Sequence, residues 1–497
     1  MGEIQKQGII NAIITYIGFG FGFVNVLVLY PILFTKEQFG LTRLYNDMGG
    51  TFAVFASFGV TSLIPRFLPH YLKDKSKDLI PIALFIAVIG SILLVLLSFI
   101  FRQQIFDNYC AENLLFRQYA YLIVFMGVFN ILFSILSTYS NCSYNTNIVF
   151  FMGQLFNRAY PTVLLIGVYF KLFGFPVFIH LMAMASVLQV FIILFSLYKN
   201  NLLDFSYRLS FTTESLKKTM IIFSGSIYVM VLIESLSGSL QVFTISDMKG
   251  IETTAIFVVA SYISQIIQMP QKSIAAIATP IVSTAWHNED YVKIQSIYRK
   301  SSINMNVAGS FLFLIICINI QNIFTLIGKG YDSGINIAIF MGVAYLIDVS
   351  FGINNEIIST SKYWKLNFFT HLLLLTTMIP INYFFIKRFG VIGSAYALII
   401  SLSIYNTIRM LFLYIKFKMN PFTIQMVFLT IYVLGILFIF NHFFNNIILP
   451  NRIQIIAFVA FKTIIGVLLF FIPVLYFRVS NEVNDIWDKL RFRIANL

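Results

Sequence analysis

Lys171-Leu-Phe-Gly174 closes one long apolar run, and Lys387-Arg-Phe-Gly390 closes another about 215 positions later. The next run ends at Tyr198-Lys199 in the first copy and at Tyr414-Ile-Lys416 in the second. Upstream, Pro65 and Pro280 each close an apolar run before a charged link, again about 215 positions apart. The chain reads as two copies of one membrane unit. Paired membrane halves are a common build for carriers, because one half can rock against the other around a site between them.

Composition agrees with a lipid solvent. Of 497 residues, 59% are hydrophobic and 11% charged, with a mean hydropathy of +0.85. A soluble domain carries roughly 25% charged residues. The first apolar run, Ile9 to Phe34, is long enough to cross a ~30 Å hydrocarbon core at ~1.5 Å per residue. It has no basic leading stretch and no small-residue cleavage site, so it reads as a retained helix and not a signal peptide. The three cysteines, Cys110, Cys142 and Cys317, fall in separate segments and offer neither a disulfide framework nor a CxxC metal pair. The net charge of +14 is spread over the links between runs. That spread is the positive-inside bias of a membrane protein and not the clustered basic surface of a nucleic-acid binder.

Fourteen spans are expected, at 9–34, 45–65, 79–101, 117–138, 147–170, 176–198, 219–243, 253–279, 303–324, 335–357, 366–386, 391–415, 424–444 and 453–477, numbered 1 to 14 below. Segments of this length can satisfy their backbone polar groups only as helices; barrel strands would run to ~10 residues with strict alternation. Lys and Arg between spans number 20 on the side carrying both termini and 10 on the other, so both termini are expected in the cytoplasm. The resulting fold class is all-α integral membrane, with about 14 transmembrane helices in two pseudo-symmetric six-helix lobes plus two C-terminal helices. The lobes are expected at 1–200 and 219–418. The link 201–218 joins them with Arg208, Lys217 and Lys218, just after Lys199, and 419–497 holds the two extra helices and a short tail. The link after span 8, Thr284 to Lys300, alternates Trp286, Val292 and Ile297 with charges, as a helix lying in the membrane interface would.

Two phrases carry a family resemblance. Phe58-Gly-Val-Thr-Ser-Leu-Ile-Pro-Arg-Phe-Leu-Pro69 looks like the end of span 2, and Gln268-Met-Pro-Gln-Lys-Ser-Ile-Ala-Ala-Ile-Ala-Thr-Pro280 like its span-8 counterpart, in the polysaccharide-transporter (O-antigen flippase) branch of the MATE-like flippase and exporter superfamily, MOP. The six-plus-six-plus-two layout is similar as well. The resemblance implies a flippase that carries an undecaprenyl-pyrophosphate-linked oligosaccharide from the inner to the outer leaflet of the bacterial cytoplasmic membrane. It implies a lipid-linked substrate, membrane lipids and polysaccharide polymerase or assembly proteins as partners, no nucleic acid, and a functional monomer. No cofactor is expected beyond a coupling Na⁺ or H⁺. Lipid II flippases of the superfamily carry a cation just before the first span-8 proline. Here Gln265 and Gln268 occupy that stretch and Lys272 follows Pro270, which argues against a peptidoglycan precursor.

Charges inside spans each need a reason, since a central charge costs at least ~2.5 kcal/mol on insertion scales. Arg158, half-way along span 5, either lines a cavity for an anion or pairs with an acid of its own lobe. Lys272 is a pyrophosphate contact or snorkels to the interface. Arg66 closes span 2 as a headgroup contact or an entry site for phosphate. Arg409 in span 12 is expected to snorkel, and Lys462 in span 14 to mark a groove or a packing pair. Arg43 and Asp47 form an i,i+4 ion pair or an outer-leaflet contact for the pyrophosphate. Glu234, near the centre of span 7 among serines, and Asp348 in span 10 are the candidates, with Asp47, for binding the coupling ion. Asn25, Gln265 and Gln268 could hydrogen-bond sugar hydroxyls, or tie helices together at ~0.6 kcal/mol each. His371 reads as a packed histidine.

Two other functions compete. A drug/cation antiporter of the same fold needs an acidic cavity, whereas these spans hold at least as many bases as acids. A glycan polymerase or glycosyltransferase needs a large external loop, but the longest external link, about 102–116, offers only Asp107 and Glu112. There is no Gly-rich phosphate loop, metal-ligand cluster or nucleophile triad in the sequence, so an enzyme is not expected.

Overall fold

The computed structural model describes residues 3–73, 79–100, 114–143, 146–200, 202, 214–328, 330–444, 447, 451–480, 482–485 and 487–488. Cys110, Asp107, Glu112, Arg208 and most of the link 201–218 lie outside these residues. Among the described residues all regular structure is helical, and helix stands at each of the fourteen span positions. Eleven helices are long and apolar enough to cross a membrane, and twelve if Lys36–Ser57 and Val60–Leu68 count as one bent span. The other two positions are span 5, divided by a π turn, and span 10, the shorter helix Gly334–Ser350. The protein is an all-α, multi-pass membrane protein.

Contacts along the chain divide it into two compact units, Met1–Val258 and Val259–Leu497. This division follows contact density, whereas the lobes expected from the repeat meet at 201–218. Span 7, formed as Glu214–Lys249, packs in the first unit against span 2.

In the first unit, span 2 is built from Lys36–Ser57 and Val60–Lys73, joined through Phe58 and Gly59 at a bend of 56°. Thr35 starts it with a capping box, its hydroxyl accepting from the Gln38 amide while the Gln38 side chain accepts from the Thr35 amide. Phe58 and Gly59 both have positive φ, 43° and 74°, so the helix cannot continue through them. Carbonyls freed by the break are capped from span 7: Ser224 Oγ donates to Phe58 O at 2.6 Å, and Tyr228 Oη to Phe55 O at 2.8 Å. A β-carbon on Gly59 would stand 2.6 Å from Ser224 O. Gly59→Ala is therefore expected to destabilise the protein by at least ~1–3 kcal/mol, seen as a lower unfolding temperature in detergent. A melt unchanged from wild type would show that the bend does not need glycine.

The second unit is organised around span 9, a helix of 37 residues, Tyr291–Ile327, about 55 Å long at ~1.5 Å per residue. Spans 8, 10, 13 and 14 all pack on it. The link after span 8 corrects the expectation of a separate interfacial helix. Span 8 runs on as Met269–His287 and span 9 begins at Tyr291, so the residues between form only a turn. Asp290 caps the second helix by accepting from the Lys293 amide at 2.9 Å. That cap lets the alternating stretch extend span 9, with Ile294 and Tyr298 buried in its packing. Trp286 is fixed by donating to Ile357 O at 2.9 Å.

Candidate functional site

The site begins in the first unit, where two membrane helices are locally unwound. Span 1 passes through a π turn at Asn25–Leu29, and span 5 through another at Phe151–Phe156. A π turn inserts one extra residue, re-aims the side chains that follow and is found disproportionately at functional sites. The two helices pack on each other closely enough that a β-carbon on Gly18 would lie 2.5 Å from Gln154 O. Asn157 closes the second π turn, and Arg158 follows it. Pro161 follows within the same helix and cannot donate to the carbonyl four residues back.

Asn25 locks this turn. It is 3% exposed; its Nδ2 donates to Arg158 O at 2.7 Å and its Oδ1 accepts from Thr162 Oγ1 at 2.8 Å. Thr162 also donates to Arg158 O at 2.9 Å. Gln189, from span 6, donates to Asn157 Oδ1 and Met152 O, both at 2.9 Å. The Arg158 backbone is thus held from several sides while its guanidinium is not. Nη1 is buried with no hydrogen-bond partner, and Cζ lies 5.8 Å from the centre of the Phe19 ring. Among the described residues the ion pairs are Arg43–Asp47 and Lys300–Glu482, so no carboxylate of its own lobe pairs with Arg158.

The second unit holds a different kind of polar cluster, a closed network across spans 8, 10, 11 and 12. Asp348 is buried in span 10. Its Oδ2 accepts from Gln268 Nε2 at 2.8 Å, and its Oδ1 from Asn406 Nδ2 at 2.7 Å. Asn354 Nδ2 donates to Asn406 Oδ1 at 2.9 Å. Arg409 is 1% exposed, which corrects the expectation that it snorkels. Its Nε donates to Thr370 Oγ1 at 3.1 Å, and its Cζ stacks 3.8 Å from the Tyr405 ring centre. His371 completes the cluster: Nδ1 faces Asn367 O at 2.7 Å and Nε2 faces Tyr405 Oη at 3.1 Å. A carbonyl only accepts, so Nδ1 donates to Asn367 O. His371 is a packed histidine.

The remaining sequence candidates do not join these clusters. Arg43 and Asp47 pair with each other at 3.0 Å, with side-chain exposures of 43% and 14%. Arg66 is exposed and stacks over Phe223 at 4.0 Å. Lys272 and Gln265 are exposed on span 8, and Glu234 is exposed on span 7. A 3-10 turn at Ile266–Gln268 separates Gln265 from the helix that starts at Met269 and carries Lys272. Gln268 is committed to Asp348, and Asn25 to Arg158.

No protein-family model and no curated protein matches the chain. Solved structures do. A structure described as the lipid II flippase MurJ in an inward closed conformation aligns with a TM-score of 0.70 at 16% identity, covering 95% of this chain and 99% of that one. An inward-facing MATE multidrug resistance transporter of the MOP superfamily aligns at 0.62 with 14% identity, covering 82% and 94%. A MOP superfamily transporter from Pyrococcus furiosus, described as having a binding pocket of reverse polarity, gives 0.59, 14%, 84% and 96%. This chain has the fold of these structures. The MurJ fold spans nearly all of it, whereas the multidrug transporter leaves uncovered a share about the size of the two extra C-terminal helices.

Within this fold, the π turns and the polar cluster holding Asp348 and Arg409 are what sequence reasoning missed. Asn25 and Arg158 are 133 positions apart, and nothing in spacing joins them. The one available signal was polar residues gathering in apolar spans, Asn25 in span 1 and Gln154 with Asn157 in span 5.

Proposed function

We propose that this protein is a flippase that moves an anionic lipid-linked oligosaccharide, carried on undecaprenyl pyrophosphate, from the inner to the outer leaflet of a bacterial cytoplasmic membrane by alternating access. The observation that carries this reading is Arg158: a guanidinium half-way along span 5, with a buried nitrogen that has no hydrogen-bond partner and, among the described residues, no paired carboxylate. Leaving a buried donor unsatisfied costs ~1–3 kcal/mol, and more for a charged one. A diphosphate oxygen supplies both the charge and the acceptor, and guanidinium geometry suits it. The likeness to a lipid II flippase over almost the full chain supports a lipid-borne cargo.

In this reading Arg66 and Lys272 are further, exposed contacts for the pyrophosphate, Arg43 guides it at the outer end, and Gln265 meets the sugar. Asn25 and Gln268 position Arg158 and Asp348. Asp348 and Glu234 are the acids through which Na⁺ or H⁺ couples to transport, while Asp47 acts through Arg43. Polysaccharide polymerase or assembly proteins would receive the product.

The test is deletion of the gene followed by extraction of lipid-linked glycans, with leaflet location read by an impermeant probe. A complete glycan lipid accumulating on the inner leaflet is expected. Normal glycolipid together with raised sensitivity to cationic drugs would overturn the reading in favour of an exporter.

A further inference from the structure

Span 14 contains a second buried cation, far in sequence from the clusters above. Lys462 is 4% exposed within the helix Arg452–Tyr476. Its Nζ reaches across to span 9 and donates to Ile318 O at 2.6 Å and to Asn322 Oδ1. The Phe458 ring centre lies 4.9 Å away. An ammonium has three donors, and these contacts take two. Both acceptors are neutral, and among the described residues no carboxylate forms an ion pair with this lysine. A helical clamp alone would not need a charge here, since a neutral donor would make the same two bonds at a lower desolvation cost.

Beside the lysine is a cavity of about 460 Å³ formed within the second unit by spans 9, 10, 13 and 14. Its wall is amphiphilic. Lys462, Gln321, Asn336 and Asn441 supply polar groups, and Leu434 and Phe438 continue it onto a lipid-facing surface, where they are 57% and 75% exposed. The ammonium bonds at the level of Asn322, five residues before the end of span 9 at Ile327, or about 8 Å from that helix end at ~1.5 Å per residue. A lipid head can be drawn that far into a polar groove while its chains stay in the bilayer.

We infer that this groove binds an anionic phospholipid, with its phosphodiester on Lys462 and its chains along Leu434 and Phe438. Charge selects this occupant over a lipid-linked pyrophosphate. One ammonium matches the single charge of a phosphodiester, and the surrounding amides match a polyol head. A pyrophosphate carries more charge, and among the described residues the lining has no second cation. The site is separate from Arg158 and stands whatever the cargo is.

The test is native mass spectrometry and thermal unfolding of the full-length protein in nanodiscs of phosphatidylglycerol or of phosphatidylcholine. Wild type is expected to retain phosphatidylglycerol and to melt higher in it. Lys462→Met is expected to bind it about tenfold or more weakly, the loss of one charged hydrogen bond, and Lys462→Arg to keep it. Because Lys462→Met also removes the clamp to span 9, Asn441→Phe provides an independent reading: it fills the groove, leaves both lysine bonds in place, and is expected to abolish the preference for phosphatidylglycerol. Equal retention by wild type and both variants would overturn the proposal. So would wild type without head-group preference, or with a co-purified lipid diphosphate in place of phospholipid.

Discussion

Arg158→Ala is expected to lower export of the lipid-linked glycan by roughly 30- to 3,000-fold at normal protein level. The range corresponds to ~2–5 kcal/mol for removing one partner of a buried, hydrogen-bonded charge pair, at ~1.4 kcal/mol per tenfold. The loss should fall on transport and spare folding. Span 5 is held to span 1 through the Arg158 backbone, by way of Asn25 and Thr162, and those bonds survive truncation of the side chain. Arg158→Lys should recover only part of the activity, because an ammonium keeps the charge but cannot form the two parallel bonds of a guanidinium. Measured export, with the protein quantified in the membrane fraction, decides the point. Unchanged export in Arg158→Ala would remove this residue from the site.

Arg409→Ala should act on stability instead, by about 1–3 kcal/mol, since it leaves the buried Thr370 hydroxyl oxygen without the donor it accepts from. Arg409 bonds Thr370 and stacks on Tyr405 of its own helix, so one side chain ties span 12 to span 11. Adding Thr370→Val to Arg409→Ala should cost less than the two single changes together, because both remove the same hydrogen bond. Non-additivity in such a cycle reports the pair directly. Thermal unfolding in detergent of wild type, the two single variants and the double variant measures it. Additive losses would mean that the two groups do not act on one another.

The spans were legible because bilayer thickness fixes their length, and composition is a direct record of that constraint. Local breaks were legible only where the residue itself forces them. Pro270 marked span 8 as distorted, and a 3-10 turn does precede it at Ile266–Gln268. In span 1 the π turn falls on Asn-Val-Leu-Val-Leu, residues 25–29, which reads as ordinary apolar helix. Its cause is tertiary: Asn25 bonds a turn of span 5 distant in sequence, and the helix widens to allow it. Arg409 was misread for a related reason. Its depth along the helix admits snorkelling, but which face it occupies decides, and the partners on that face, Thr370 and Tyr405, are uncharged and leave no mark in a search for opposite charges. Lys462 was read as a groove or a packing pair, and it proves to be both.

The most direct test of glycolipid transport is to reconstitute the purified protein into proteoliposomes with a labelled undecaprenyl-pyrophosphate oligosaccharide and follow its exposure to an impermeant reagent. Protein-dependent crossing of the bilayer, lost in Arg158→Ala and unaffected by cationic drugs, is the predicted result. A glycolipid that stays in its leaflet while a cationic drug is moved would contradict it.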